Sequence, residues 1–192
     1  MEFGMKGMEI MKKWFVTAAV VLSSIAGSWA AEQRFVMTLR GTVETPTGKT
    51  ILTESSLLTA PYNRFILVLD PVAQTVAIEE WGPGASGKID RDPVLSGVQG
   101  LMENFRMAYF GGAKPRFMAN LEMVDMDWDR DGVEDTDGNM QMDAKLMVNR
   151  ATGQITKVSA NLIGVLNDPV NGAGRGTAKH FRGKITTVGA PF

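Results

Sequence analysis

The sequence contains no cysteine and a single histidine, His180, among its 192 residues. Without cysteine the chain has no disulfide framework, no thiolate zinc site, no thiol nucleophile and no iron–sulfur cluster. One histidine is too few for a histidine-based metal triad, and His180 has no matching Ser-His-Asp arrangement around it in the sequence. The stability of this chain must therefore come from a hydrophobic core or from a bound ion.

The first 30 residues are typical of a cleavable secretory signal peptide. Lys12 and Lys13 supply positive charge, and an apolar stretch follows over residues 14–25. Small residues then surround Ala30, where a signal peptidase reads the chain. The apolar stretch is shorter than the about 20 residues that a membrane-spanning helix needs, so we expect cleavage rather than anchoring.

Translation is expected to start at Met11, because Glu2 and Glu9 add acid to a region that normally carries net positive charge. Cleavage is expected before Ala31. A lipid anchor would require a cysteine at that site, and the chain has none. These features predict a periplasmic or secreted protein whose residues 31–192 form a single β-rich domain.

The charge of the expected mature chain is unevenly distributed. Residues 1–30 contain three of the lysines and two of the glutamates, which leaves 17 basic and 19 acidic residues, a net charge of −2. Seven of those acids lie between Asp125 and Asp137, accompanied by one basic residue, Arg130. The rest of the domain is mildly basic, with 16 basic and 12 acidic residues, so the acid is concentrated in one segment.

Alternation of apolar and polar residues with a period of two dominates the domain and predicts strands with one buried face. The strongest segments are 35–43, 117–123 and 140–148, and the weaker ones are 49–59, 64–70, 74–81, 154–166 and 176–188. Turn-forming residues at Asp70–Ala73 and Asn149–Gly153 predict two hairpins. We expect a mainly β fold, a single antiparallel β-barrel or sandwich of about eight strands with one inserted helix.

The inserted helix is predicted near residues 93–109. Apolar residues recur there at intervals of three and four, and Asp92-Pro93 is a suitable helix start. Gly111 and Gly112 are expected to end the helix.

The segment from Asp125 to Asn139 carries the most specific chemistry. Carboxylates at alternate positions followed by Gly132 allow a chain to wrap oxygen ligands around a hard cation. This pattern resembles the Asp-x-Asp-x-Asp-Gly loops of EF-hands and, more closely, the acidic calcium repeats of thrombospondin type 3 modules. The resemblance is local, and Gly138 stands where an EF-hand has its closing glutamate.

By that resemblance the segment binds Ca²⁺ through oxygen atoms. The implied ligands are Asp127, Asp129, Asp131, the carbonyl of Val133, Asp135 and Asp137. Exported proteins meet enough calcium to fill sites with Kd of about 10⁻⁴ to 10⁻³ M. The alternative is a solvated acidic hairpin.

Two other motifs carry less information. The segment Gly82–Lys88 matches the glycine and lysine positions of a phosphate-binding loop, but Ile89 replaces the Ser or Thr that would hold magnesium, so we expect a flexible loop. In a strand, His180, Arg182 and Lys184 would share one face near Arg175. That face is interpreted as solvated, with an anionic ligand as the alternative.

The methionines, although frequent, mostly occupy the apolar face of alternating strands and are interpreted as core residues rather than as copper ligands. Glu79 and Glu80 are adjacent, so in a strand they point to opposite faces and do not form a catalytic acid–base pair.

The sequence therefore predicts a non-enzymatic, soluble exported domain, a calcium-stabilised binding or structural module of the cell envelope, with no nucleic-acid partner. One alternative is a small barrel that carries a lipid-like apolar small molecule. Another is an eight-stranded outer-membrane barrel, suggested by the number of strands and by Phe192, which resembles the assembly signal of such barrels.

Overall fold

A computed structural model describes seven stretches of the chain, residues 32–45, 48–58, 60–83, 89–106, 114–123, 138–167 and 178–192. These residues form nine strands and one short helix. The strands are β1 Gln33–Thr45, β2 Gly48–Leu52, β3 Arg64–Asp70, β4 Thr75–Pro83, β5 Ile89–Arg106, β6 Arg116–Met123, β7 Gly138–Val148, β8 Ile155–Asn167 and β9 Ala178–Val188. The helix, α1, spans Glu54–Leu57. The expected signal peptide lies outside the described residues.

The sheet closes into an eight-stranded antiparallel barrel with one extra strand. From β3 onward each strand pairs with the next along the chain, and β9 returns to pair with β1 from Val36↔Val188 to Glu44↔His180. Closure satisfies the edge groups that an open sheet would leave unpaired. The predicted mainly β fold, a barrel of about eight strands, is confirmed.

The extra strand lies in line with β3 along one edge of β1. The end of β1 pairs with β2 from Gly41↔Leu52 onward, and its beginning pairs with β3 as far as Met37↔Phe65. Between these two ladders the chain leaves the sheet to form α1, so the predicted strand over 49–59 is correct only in its first part. In the gap, Leu39 N donates to Glu54 Oε1 at 3.2 Å. A side-chain carboxylate thus replaces the missing strand at this position.

The interior of the barrel is apolar because alternate residues of every ring strand point inward. These side chains form one continuous buried cluster in which each member is at most 6% exposed. Representatives from the eight ring strands are Phe35, Phe65, Val76, Val98, Phe117, Met140, Ile155 and Phe181. Leu57 and Leu58 from α1 and its end join the same cluster, so the helix contributes to the core.

The helix predicted over residues 93–109 is wrong, since β5 occupies residues 89–106. Val98, Met102 and Phe105 suggested a helix because they are four and three residues apart. A spacing of four also fits one face of a strand, and the spacing of three arises from an irregularity between Glu103 and Arg106. There Asn104 has φ of 51°, which turns the next side chain back toward the core. Residues 107–109 lie outside the described residues.

Both predicted hairpin turns are confirmed. Asp70 Oδ1 accepts hydrogen bonds from the backbone N–H groups of Val72 at 2.8 Å and Ala73 at 2.9 Å, closing the β3–β4 turn. The β7–β8 turn has Gly153 at φ of 72°, and its N–H donates to Asn149 O at 2.8 Å.

Candidate functional site

The acidic segment connects two neighbouring strands of the barrel. Strands β6 and β7 pair antiparallel from Arg116↔Lys145 to Met123↔Gly138, so residues 124–137 are their connection. All six predicted calcium ligands, Asp127, Asp129, Asp131, Val133, Asp135 and Asp137, lie in this connection and outside the described residues.

The base of the connection is fixed by the core. Leu121 and Met140 are register partners two residues inside the hairpin end, and their side chains are 1% and 3% exposed. Outside them, Glu122 is paired with Asn139 at the barrel surface. The two ends of the acidic segment are therefore held at the separation of paired strands by side chains that cannot move without opening the core. Elsewhere, the described residues contain no group of three metal-ligating side chains close enough to hold an ion.

A second charged feature lies on the outer face of β1, β2 and β9. We call it the basic groove, a concave pocket of about 310 Å³ whose charged walls are Arg40, Arg182 and Lys184. Thr42 and Ile51 complete the wall on the β2 side. The prediction that His180, Arg182 and Lys184 share a face is confirmed, because all three are exposed while Phe181 and Ile185, at the alternate positions of the strand, are buried. Arg175 lies outside the described residues.

The floor of the basic groove is a pair of glycines from adjacent strands. Gly41 and Gly183 are register partners. On the inner side of the sheet the ring of Phe181 occupies the space that their side chains would take, since a Cβ on Gly183 would lie 2.6 Å from Phe181 Cζ. The outer side of the sheet at these two glycines is therefore bare backbone, which forms the shallow floor of the groove. The inner side is covered by the ring of Phe181. Arg40, on β1, is a wall residue that alternation along β9 alone did not reveal.

The charges around the basic groove are unbalanced. Across the strands, Arg40 is the register partner of Lys184, which places like charges opposite each other. Glu44, a carboxylate on the same face of β1, forms an ion pair of 2.8 Å with Lys49. The hydrogen bond and the charge of Lys49 lower the pKa of Glu44, and the charges of Arg182 and His180 lower it further.

A matched pair of basic residues elsewhere on the barrel has an acidic partner. Arg116 on β6 faces Lys145 on β7, and both lie on the outer face. There Arg116 Nη2 also contacts Asp143 Oδ1 at 3.3 Å. Among the described residues, no comparable ion pair is recorded for Arg40, Arg182 or Lys184.

Glu79 and Glu80 point to opposite faces of β4, as predicted. Glu80 is inside the barrel, 1% exposed, and its Oε1 accepts a hydrogen bond of 2.7 Å from Asn63 Nδ2. Glu79 is on the outer face, where its Oε2 accepts a hydrogen bond of 2.6 Å from Trp81 Nε1. The two carboxyl groups are separated by the sheet and cannot act on one substrate together.

A small apolar cluster covers part of the outer face. Trp81 is completely buried on this outer face, where it packs with Ile66 and Val68. These three side chains do not belong to the cluster that fills the barrel interior. Phe192 lies edge-on to the Trp81 ring at 5.9 Å, and Arg34 stacks over the same ring at 5.6 Å. Phe192 N donates to Arg34 O at 3.0 Å, so residues after β9 return across β1. The packing of Phe192 gives it a structural role on this face.

Comparisons with known proteins found no counterpart. A scan against protein-family models matched no family, and searches of the curated proteins and of the solved structures found no matching protein. Within the described ranges, no helix is long and apolar enough to cross a membrane. The chemistry of the chain's own residues is therefore the basis for a function.

Proposed function

We propose that this chain is an exported β-barrel domain whose acidic segment binds calcium, and that it serves as a non-enzymatic binding or structural module of the cell envelope. The observation that supports this most directly is the register Met123↔Gly138, which makes residues 124–137 the connection of a hairpin. Seven carboxylates are thereby confined to a connection whose two ends are fixed side by side.

Such a connection is costly without a counter-ion. It is long for a hairpin, so its closure carries an entropic cost, and its carboxylates repel one another at neutral pH. A bound Ca²⁺ orders the chain and neutralises the charge together. Alternate oxygen ligands and Gly132 at the sharp turn suit a hard cation, whereas zinc and copper prefer nitrogen and sulfur.

The apolar side chains of the interior favour a packed domain rather than a carrier of lipid-like ligands. An eight-stranded barrel is just wide enough for its side chains to fill it or for one small ligand to be held. A side chain that lines a ligand cavity keeps surface exposed to that cavity, whereas the inward cluster is at most 6% exposed. This low exposure of the described inward side chains favours a filled interior over a ligand cavity.

The residues of the outer face favour a water-exposed domain rather than an outer-membrane barrel. Membrane barrels present an apolar band to lipid and a polar interior. In this chain the described interior is mainly apolar, with a few buried polar residues such as Glu80, and many exposed outward positions are polar or charged. They include Thr38, Arg40, Gln99, Asn120, Glu122, Gln141, Lys145, Asn161 and Lys184.

Thermal unfolding with calcium and with chelator tests the proposal. Because the ion binds the folded connection, the free energy of unfolding should rise by RT ln(1 + [Ca²⁺]/Kd), about 2.7 kcal/mol at a hundredfold excess over Kd. Asp129→Ala and Asp131→Ala should each abolish most of this gain.

Glu134→Ala is the matched control, because Glu134 lies in the same segment but outside the alternating ligand set. It removes one carboxylate and should keep the calcium effect. An unmutated protein whose unfolding midpoint is the same in millimolar calcium and in chelator would contradict the calcium site.

A further inference from the structure

We propose that the basic groove binds the phosphoryl group of a phosphomonoester, with the organic part of the ester against Ile51. The groove lies on strands β1, β2 and β9, and the acidic segment lies between β6 and β7. This inference therefore goes beyond the calcium proposal and stands without it.

The charges of the groove call for an anion. Like charges directly opposite each other on antiparallel strands are destabilising, and Arg40 and Lys184 are such a pair. Arg182, on the same outer face of β9, adds a third positive charge beside them. In the matched pair of Arg116 and Lys145, Asp143 supplies a carboxylate to one of the two cations, whereas the described lining of the basic groove contains no carboxylate.

The number and type of cations select a phosphomonoester over a carboxylate. A phosphomonoester carries a charge of about −1.5 to −2 at neutral pH and has three strong acceptor oxygens. Two guanidinium groups can each bind it through paired N–H groups, and an ammonium group adds a point charge. A carboxylate has one charge and two oxygens, so it would neutralise less of the combined charge of Arg40, Arg182 and Lys184.

The uncharged wall of the groove indicates that the ligand also carries an organic group. Ile51 is 60% exposed, and Thr42 is its register partner on β1. A pocket volume of about 310 Å³ is at the lower end of the range for small-molecule sites, about 300–1,000 Å³. It suits a small ester, or the phosphate head of a larger amphiphile such as phosphatidic acid. Both sources share the phosphomonoester.

Titration calorimetry in chelator, with inorganic phosphate and with n-butyl phosphate, tests the site. Arg182→Gln and Arg40→Gln should each weaken the binding of both probes about tenfold, the loss expected for a charge-assisted contact. Ile51→Ala should weaken the binding of n-butyl phosphate and leave that of inorganic phosphate unchanged. Phosphatidylcholine vesicles with and without phosphatidic acid distinguish a soluble ester from a lipid head.

Lys145→Gln is the matched control for charge, because Lys145 also faces an arginine across a strand pair but lies on β7. It should leave the affinity for phosphate within about twofold of the unmutated value, since Lys145 lies two strands from β9, and over about a Debye length a surface charge is largely screened. The inference is overturned if Lys145→Gln and Arg182→Gln weaken binding equally, which would indicate a general field. It is also overturned if neither soluble probe nor phosphatidic acid vesicles bind. Unfolding midpoints of the variants confirm that each remains folded.

Discussion

The acidic connection and the basic groove are both clusters of like charge, yet they belong to different kinds of backbone. In the groove, Arg40 and Lys184 stand on paired strands, and the register of β1 with β9 fixes their separation. In the connection, the barrel fixes the two ends, Met123 and Gly138. Charges on strands are positioned before a ligand arrives, whereas under the calcium proposal the charges of the connection gain their arrangement from the ion.

This difference predicts what each cluster does when it is empty. A preorganised groove loses little conformational freedom on binding, so its ligand should change the stability of the barrel mainly through mass action. A connection that is ordered by its ion should couple binding to local folding. The variants below separate these two behaviours, beginning with the largest expected effect.

The support beneath the groove is expected to give the largest effect. Phe181→Ala removes a buried ring, and a phenylalanine-to-alanine change in a core costs about 3–5 kcal/mol of unfolding free energy. Gly183→Ala places a methyl group against the same ring and should cost about 1–3 kcal/mol. In the double variant the methyl group occupies freed space, so the two costs should not add.

Chemical denaturation of the four proteins of this cycle measures the coupling. Costs of Phe181→Ala and Gly183→Ala that are simply additive would show that the ring and the glycine floor do not support each other.

Removal of one charge from each cluster should change the free energy of unfolding by an intermediate amount. The sign of this change should depend on whether the ligand is present. Without ligands, Lys184→Gln relieves its repulsion with Arg40 and should raise the free energy of unfolding by a few tenths of a kcal/mol, up to about 1 kcal/mol. Asp131→Asn should likewise stabilise the protein in chelator. With calcium present, Asp131→Asn should instead be destabilising, because a ligand is lost.

Thermal melts of Lys184→Gln and Asp131→Asn, in chelator and in calcium, provide this measurement. A loss of stability for Lys184→Gln in the absence of ligand would mean that the lysine has a stabilising contact, and the view of the groove as a repulsive cluster would fail.

The smallest effect is expected at the rim of the groove, where Lys49 lowers the pKa of Glu44. Lys49→Ala should raise that pKa toward the usual glutamate range, as followed by NMR titration of the carboxyl carbon. Because the pKa of Glu44 is lowered in the folded protein, the stabilisation is present at pH values above the unfolded pKa and is lost as the pH falls through the folded pKa. Lys145→Ala should leave the pKa of Glu44 unchanged.

The alternation of residues predicted most of the fold correctly because a strand with one buried face has a strict period of two. It worked best where both faces are unambiguous, as in β7, where buried and exposed residues alternate from Gly138 to Leu146. It failed at β5, because a left-handed residue at Asn104 shifts the phase of the strand and produces the spacing of a helix. A single sequence carries no clear signal for such a shift.

The groove could be predicted from the sequence only in part. Alternation placed Arg182 and Lys184 on one face of β9, but it could not show which strand lies beside them. Arg40 joins them because the first ring strand pairs with the last, nearly 150 residues along the chain. Ile51 joins through β2, which pairs with the second half of β1 and places Ile51 opposite Thr42. Long-range closure, not local pattern, assembles this surface.

The carboxylate of Glu54 that completes the ladder at Leu39 makes the barrel tolerant of insertion at an unusual place. Most barrels admit extra sequence between strands, at the rims, because an interruption within a strand opens the wall. Here the position beside β1 is shared by two strands, β2 and β3. The side chain of Glu54 spans the gap between them. Residues 60–62 lie between α1 and β3, where the chain is outside the sheet, and both Pro61 and Tyr62 are exposed. A reporter peptide inserted between them would enter the middle of the wall while the pairings on either side keep their register.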